Sequence, residues 1–166
     1  NRANFSWARS GANLIVTDLA NAEGVDTATN IERLVFADSR VAVDVIDGNA
    51  GTTAKILGVV FGRDSVSNTA VVGIGLSLLD GGMSYLDLMS LALNAAGATT
   101  SNAVVSLLWR NLFGTGPTAA EAAPFVSMLD NGSLSAGALG VLAADLSLNT
   151  DNVRLSYLAQ TGIVYS

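Results

Sequence analysis

Apolar and polar side chains alternate over residues 4–46, a pattern typical of β-strands with one buried face. Turn-forming residues occupy 10–13, and a loop at 19–30 separates the first pair of strands from the second. We expect these strands to form a small antiparallel sheet. The predicted strands are 5–9, 14–17, 31–36 and 41–43.

The pattern changes at the segment 47–51, and from residue 52 onward apolar residues recur at the spacing of an α-helix. The hydroxyl groups of Ser84 and Ser135 can accept a hydrogen bond from a free helix amide, so both are predicted N-caps. Helices of this length do not persist alone in water, which indicates that they pack into one bundle. The predicted helices are 52–60, 68–79, 85–95, 102–112, 118–129, 136–145 and 151–160.

The helical region contains a weak internal duplication. Phe61-Gly62 is repeated as Phe113-Gly114, 52 positions later, and the Leu-Asp-x-Gly pattern of 79–82 is repeated at 129–132, 50 positions later. The sequence therefore predicts an α+β chain. Its expected parts are a small β segment over 1–47 and a helical bundle over 48–166, the bundle consisting of two related units at about 52–100 and 102–160.

Charge and hydropathy exclude two classes of partner. The chain is 50% hydrophobic and 13% charged, its net charge is −6, and its cations do not cluster as nucleic-acid binding requires. Gly, Ser, Asp or Asn interrupts every apolar run, so no transmembrane segment is predicted. The residues 1–4 contain no initiating Met and no signal-peptide pattern, and we expect the chain to be part of a longer protein.

The chain contains neither His nor Cys. Their absence excludes a Ser-His-Asp triad, a Cys-His dyad and an ordinary zinc site. The fourteen carboxyl side chains lie mostly one by one at turns and helix ends, and the sequence singles out no pair for glycosidase chemistry. We therefore expect a protein that is not an enzyme.

Hard oxygen donors stand close together after the last predicted strand of the β segment. Asp44, Asp47 and Asn49 lie beside glycines and could help to bind calcium, or they could bond to backbone amides in a strand-to-helix turn. Glu32 and Arg33 are neighbours in a strand and point to opposite faces, so each is expected to contact neighbouring loops instead of its neighbour.

The segment 24–38, which reads Gly-Val-Asp-Thr-Ala-Thr-Asn-Ile-Glu-Arg-Leu-Val-Phe-Ala-Asp, resembles the strand signature that follows calcium-binding RTX repeats in type I secreted bacterial proteins. This segment is followed by the segments 41–44 and 47–51 and then by Phe61-Gly62-Arg63, in that order. That order is similar to the helical family called domain of unknown function 4214, which is found in RTX proteins, adhesins and surface-layer proteins. The chain departs from that family at Arg63-Asp64-Ser65, where a Pro-Asp turn is usual.

This resemblance implies a secreted or cell-surface protein of a Gram-negative bacterium, exported by the type I secretion machinery through a carboxy-terminal signal. It also implies that Asp26 and Asp38 lie near calcium. The resulting set of calcium candidates is Asp26, Asp38, Asp44, Asp47 and Asn49.

The function that these observations favour is a non-enzymatic extracellular module for structure or export at the carboxy terminus of a secreted surface protein, with self-association into a surface layer or filament. One alternative is an adhesin domain that binds a cell-surface glycan or a host surface through the loops between the helices. Trp7, Trp109 and Phe113 would then stack on sugar rings, although the same residues also suit core anchoring. A carbohydrate-active enzyme with paired acids is the third alternative.

Overall fold

The computed structural model describes residues 1–10, 12–20 and 23–166. Gly11 of the predicted turn, and Asn21 and Ala22 of the predicted loop, lie outside the described residues. The described part confirms an α+β chain with six strands and eight α-helices. The strands are β1 (Phe5–Ser10), β2 (Asn13–Asp18), β3 (Val25–Thr29), β4 (Arg33–Val35), β5 (Arg40–Ala42) and β6 (Ile163–Tyr165). The helices are α1 (Asn49–Phe61), α2 (Thr69–Asp80), α3 (Tyr85–Ala95), α4 (Ser101–Phe113), α5 (Ala119–Asp130), α6 (Ala136–Ala144), α7 (Ser147–Asn152) and α8 (Leu155–Thr161).

The strands form two antiparallel sheets. The N-terminal sheet has the order β1-β2-β3, and its register places Trp7 opposite Val16 and Val16 opposite Asp26. The central sheet has the order β4-β5-β6. Its third strand comes from the far end of the chain, since Ile163 pairs with Ala42. The helical region and the β segment are therefore joined by hydrogen bonds within one sheet.

The two sheets and the helices form successive layers. Leu14 of the N-terminal sheet packs against Val41 and Val43 of the central-sheet region, and Phe36 stacks on Trp7. On the opposite face of the central sheet, the side chains of Ala42 and Ile163 join a buried cluster with apolar residues of α1 and α2. The central sheet is the layer that connects the outer sheet to the helices.

One face of the N-terminal sheet packs inward, and the other faces away from the central sheet. Because side chains alternate along a strand, the inward face carries Trp7, Leu14 and Val16. The opposite face, called the outer face below, carries nine side chains, and none of them is charged. They are Ser6, Ala8, Ser10, Asn13, Ile15, Thr17, Val25, Thr27 and Thr29.

Helix α1 is the centre of the bundle, with nine of its thirteen residues buried. Two glycines allow its neighbours to approach. A β-carbon at Gly51 would collide with the carbonyl oxygen of Val45, and one at Gly58 would collide with the side chain of Val153. The backbone of α1 therefore lies directly against the residues that precede it and against α7.

The duplicated sequence motifs lie at corresponding helix ends in two successive sets of three helices, α1–α3 and α4–α6. The turns after the second helix of each set share a backbone conformation. Gly82 has φ 93° and Gly132 has φ 74°, which favours glycine at both positions. The predicted N-caps are confirmed, because Ser84 accepts a hydrogen bond from Asp87 N and Ser135 accepts one from Ala138 N, each at 3.1 Å.

Four sequence predictions were wrong in detail. The predicted strands of the β segment lie in two sheets instead of one, because β4 and β5 pair with each other and with β6 but not with β1–β3. Strand β3 lies inside the predicted loop at 19–30, and β6 was not predicted at all. The predicted helix at 151–160 is split between α7 and α8, because Arg154 has a left-handed backbone with φ 55°. Among the described helices, none has the length and apolarity needed to cross a membrane.

Candidate functional site

A polar cluster lies where the β segment meets the helices, and we call it the junction cluster. At its centre is Arg33, which pairs with the carboxylate of Asp44 through Nη1 and with both oxygens of Asp80 through Nη2, at 2.8 and 2.9 Å. Asn49 donates from Nδ2 to Asp80 Oδ1 at 2.8 Å. A single guanidinium group therefore neutralises two carboxylates from different parts of the fold.

Local structure explains the position of each group in the junction cluster. Arg33 is the first residue of β4, Asp44 follows β5, Asn49 begins α1 and Asp80 ends α2. Gly48 leaves the space that the Asp44 side chain occupies, since a β-carbon there would lie only 2.7 Å from its carboxyl carbon. The strand-to-helix connection thereby directs Asp44 towards Arg33.

The structure brings two of the five calcium candidates together and leaves three apart. Asp44 and Asn49 both belong to the junction cluster, where Arg33 supplies the positive charge and Asn49 uses its nitrogen as a donor. Asp47 is exposed beside the cluster, and Asp26 and Asp38 are exposed in the β segment. Within residues 1–10, 12–20 and 23–166, no group of three or more acidic side chains has a metal-binding arrangement. Calcium binding remains a prediction.

Asp38 has a partner of a different kind. Its Oδ1 accepts a hydrogen bond from the backbone nitrogen of Arg2 at 2.8 Å, and this bond lowers the pKa of the Asp38 carboxyl group. The Asp38 side chain therefore ties the start of the chain to the turn between β4 and β5.

Replacing Arg33 by Met should destabilise the protein by about 1–2 kcal/mol, because the substitution leaves the carboxylates of Asp44 and Asp80 close together without a cation. Denaturant unfolding measures the loss. Arg40→Met is the matched control, since it removes the same charge from an exposed position in β5. Equal losses in the two variants would show that the junction cluster contributes nothing specific to stability.

An apolar groove lies between α4, α5 and α6. It encloses about 280 Å³, and its lining consists of apolar side chains. Trp109 contacts Phe113 and Phe125 here, with ring centroids 4.7 and 6.3 Å apart. Phe113 is 51% exposed, whereas Trp109 is half-buried. The groove has no polar side chain that could orient a small polar ligand.

A second cleft, called the Phe-Gly cleft below, lies where the duplicated motifs meet and encloses about 470 Å³. Both phenylalanines of the duplication, Phe61 and Phe113, line it together with Arg63 and Arg110. Near the ends of α1 and α4, which lie beneath this cleft, an asparagine side chain donates a hydrogen bond to a backbone carbonyl oxygen. Asn111 donates to Val60 O at 2.8 Å, and Asn152 donates to the duplicated position, Leu112 O, at 3.1 Å.

A third cleft, of about 750 Å³, lies between the N-terminal sheet and helices α7 and α8. Trp7, Arg9 and Gln160 are among its lining residues, and its described lining contains no carboxyl side chain. Trp7 is also held between Phe36 and the guanidinium of Arg2, 5.4 Å from its ring centroid. Trp7 thus anchors the two sheets to each other.

Lys55, the single lysine of the chain, belongs to a partly exposed ion pair at the surface of the bundle. Its Nζ lies 2.6 Å from Asp145 Oδ1, which also accepts a hydrogen bond from the Tyr85 hydroxyl at 3.2 Å. Burial, and then the negative charge of Asp145, raise the pKa of Tyr85. The three side chains connect α1, α3 and the end of α6.

Sequence reasoning predicted that Arg33 would contact neighbouring loops, and its pair with Asp44, in the connection after β5, confirms this. Its other partner, Asp80, is the last residue of helix α2. Sequence reasoning did not identify Asp80 as a partner. The signal available for Asp80 was its place in the duplicated Leu-Asp-x-Gly pattern, which marks a helix end but does not indicate what lies beside it.

Comparison with known proteins returned no match to the chain among protein-family models, curated proteins or solved structures.

Proposed function

We propose that the chain is a non-enzymatic structural module of an extracellular protein and that it associates with further copies of itself. The observation that carries this proposal is the outer face of the N-terminal sheet. It presents nine uncharged side chains to the surface of a chain whose net charge is −6. Two copies can bring the sheets that carry these faces together without charge repulsion between the faces, whereas the negative net charge opposes contact elsewhere.

Several further features support a role without catalysis. The absence of His and Cys removes the commonest nucleophile and base pairs. The pKa values of the Asp38 and Glu121 carboxyl groups are both lowered by hydrogen bonds, from Arg2 N to Asp38 and from Thr118 to Glu121. A lowered pKa is the opposite of what a carboxylic acid needs to donate a proton near neutral pH.

The extracellular setting in this proposal rests on the resemblance of residues 24–38 to the segment that follows RTX repeats. That resemblance also motivates calcium as a ligand, with Asp26, Asp38, Asp44, Asp47 and Asn49 as its candidates. Export by a type I system and a location outside a Gram-negative cell belong to the same proposal.

Sedimentation velocity over a wide range of protein concentrations tests self-association. We expect the sedimentation coefficient to rise with concentration. The rise should become larger at high salt, because salt screens the repulsion between chains of net charge −6 but does not weaken contacts between uncharged faces. Parallel runs with calcium and with a chelator test the metal. A chain that stays monomeric at every concentration, with and without calcium, would refute the proposed association.

The Phe-Gly cleft favours a second candidate function, an adhesin domain that binds glycan. It combines two partly exposed aromatic rings, Phe61 and Phe113, with the polar side chains of Arg63 and Arg110. Rings that stack on sugars and groups that bond to hydroxyls are both needed to bind carbohydrate. The apolar groove beside the cleft lacks the second kind of group.

Binding to a glycan array tests this alternative. Phe113→Ala should abolish any specific binding, whereas Tyr157→Ala removes another exposed aromatic side chain that does not line the cleft and should leave binding unchanged. Equal binding by both variants, or no binding by the parent chain, would argue against an adhesin that uses the Phe-Gly cleft.

A further inference from the structure

Strand β3 forms one edge of the N-terminal sheet, and the described part of the chain places no strand on its free side. Proteins usually protect such edges with lysine, proline, a bulge or a covering segment. The five residues of β3, Val25–Thr29, include neither Lys nor Pro, and their one charged residue is Asp26. The edge is exposed along most of its length.

The hydrogen-bond pattern identifies which residues of β3 face outward. Asp18 N donates to Gly24 O at 2.9 Å, so these two residues form a hydrogen-bonded pair. Bonded and non-bonded pairs alternate along an antiparallel ladder, so Asp26 and Ala28 also bond to β2. The backbone groups of Val25, Thr27 and Thr29 therefore point away from the sheet.

The same three residues direct their side chains to the outer face. All three are β-branched, and β-branched residues suit paired strands because they pack well on a pleated surface. None is charged. The free edge thus combines available backbone donors and acceptors with side chains that favour a neighbouring strand.

We propose that strand β3 pairs with β3 of a second copy, antiparallel and around a two-fold axis at Thr27. This proposal rests on the proposed function, because it names the contact through which the copies associate. Val25 would then lie opposite Thr29 of the second copy, and Thr27 opposite its own equivalent. Three bonded pairs would exchange about six hydrogen bonds, two for each pair. The two N-terminal sheets would become one sheet of six strands.

The position of Asp26 selects this register. An axis at Asp26 would place two negative side chains directly opposite each other, which is unfavourable. An axis at Ala28 would leave Val25 without an opposing residue in the second strand. With the axis at Thr27, Asp26 lies opposite Ala28 of the second copy, and all five residues of each strand are paired.

A second copy is the partner that this edge fits, since the arrangement of outward donors and acceptors on Val25, Thr27 and Thr29 is symmetric about Thr27. Rotation about that point superimposes the edge on itself. A two-fold contact of this kind is isologous, because the same surface is used on both subunits. The uncharged outer face continues across the contact without placing like charges together.

Single-cysteine variants test the contact directly, because the chain contains no other Cys. In the proposed pair the two Thr27 α-carbons are about 5.5 Å apart, within reach of a disulfide. Thr27→Cys should therefore form a covalent dimer rapidly under mild oxidation, as seen on a non-reducing gel. Ser6→Cys is the control, since it places the thiol on the same outer face but on β1, at the opposite edge. Equal cross-linking rates would overturn the proposal.

A charge variant provides a second readout. Thr27→Lys places two positive charges opposite each other and should weaken association at least about tenfold, whereas Ser6→Lys adds the same charge away from the contact and should have little effect. Circular dichroism checks that both variants fold. If the parent chain associates and the Thr27→Lys variant associates equally strongly, self-association stands and the β3 contact is refuted. If the parent chain is monomeric, both the contact and the proposed function are refuted.

Discussion

Replacing Gly51 by Ala should lower the free energy of unfolding by about 3 kcal/mol. Two effects of the substitution oppose each other. Alanine is a better helix former than glycine by about 1 kcal/mol, which favours the variant because Gly51 lies within α1. The added β-carbon would collide with the carbonyl oxygen of Val45, which is a backbone atom and cannot rotate away. The collision outweighs the gain in helix propensity, so the net effect is a loss.

Chemical denaturation measures this loss, and Gly116→Ala is its control. A β-carbon at Gly116 meets no atom within 4 Å, and its backbone does not have positive φ. Gly116→Ala should therefore change stability by no more than about 0.5 kcal/mol, with a small gain expected from the stiffer unfolded chain. A stabilised Gly51→Ala variant would show that α1 is not held against the residues that precede it.

Replacing Asn149 by Ala should destabilise the protein by about 2–3 kcal/mol. Asn149 is 1% exposed, and its Nδ2 donates to Lys55 O at 3.0 Å and to Ala144 O at 2.8 Å. The substitution removes both hydrogen bonds and leaves a cavity between α1 and α7. It therefore loses the bonding and the packing of one fully buried side chain.

Asn152→Ala provides a comparison within the same helix. Asn152 is less buried and donates a single hydrogen bond, to Leu112 O at 3.1 Å, so its loss should cost about 1 kcal/mol. Asn149→Asp keeps the size of the side chain but replaces the donor with a carboxylate that faces two carbonyl oxygens. We expect it to be at least as damaging as Asn149→Ala at neutral pH. If Asn149→Ala cost no more than Asn152→Ala, burial of the amide would not explain its effect.

Local sequence signals were enough to predict most of the helices. The caps at Ser84 and Ser135 act within a few residues, and the helices that follow them begin at Tyr85 and Ala136. The split near Arg154 could not be predicted in the same way, because a non-glycine residue with positive φ has no dependable sequence signature.

Two strands, β3 and β6, were not predicted from the sequence, for different reasons. Strand β3 contains Asp26, two threonines and a single large apolar residue, Val25, so its hydrophobic alternation is weak. Strand β6 has a strong apolar pattern, but it is three residues long and its partner is far away in the sequence. Pairing at that distance depends on the whole fold and leaves no local signal.

The candidate site was predictable only as far as the local turn. Asp44 and Asn49 lie close together because five positions of a strand-to-helix connection separate them. Arg33 reaches Asp44 through the pairing of β4 with β5, and Asp80 joins through the packing of α2. The cation at the centre of the cluster therefore comes from a side chain that the spacing of acidic residues could not indicate.

Pairing of β5 with β6 has a consequence for the order of folding. Ala42 and Ile163 are 121 positions apart (163 minus 42), so the central sheet cannot be completed until every residue between them has been synthesised. Until then the edge of β5 that pairs with β6 has no partner strand. The central sheet, which connects the N-terminal sheet to the helices, therefore remains incomplete. Closing so long a loop is slow compared with forming the local helices. We therefore expect α1–α6 to form first and the β segment to dock last, when residues 163–165 become available.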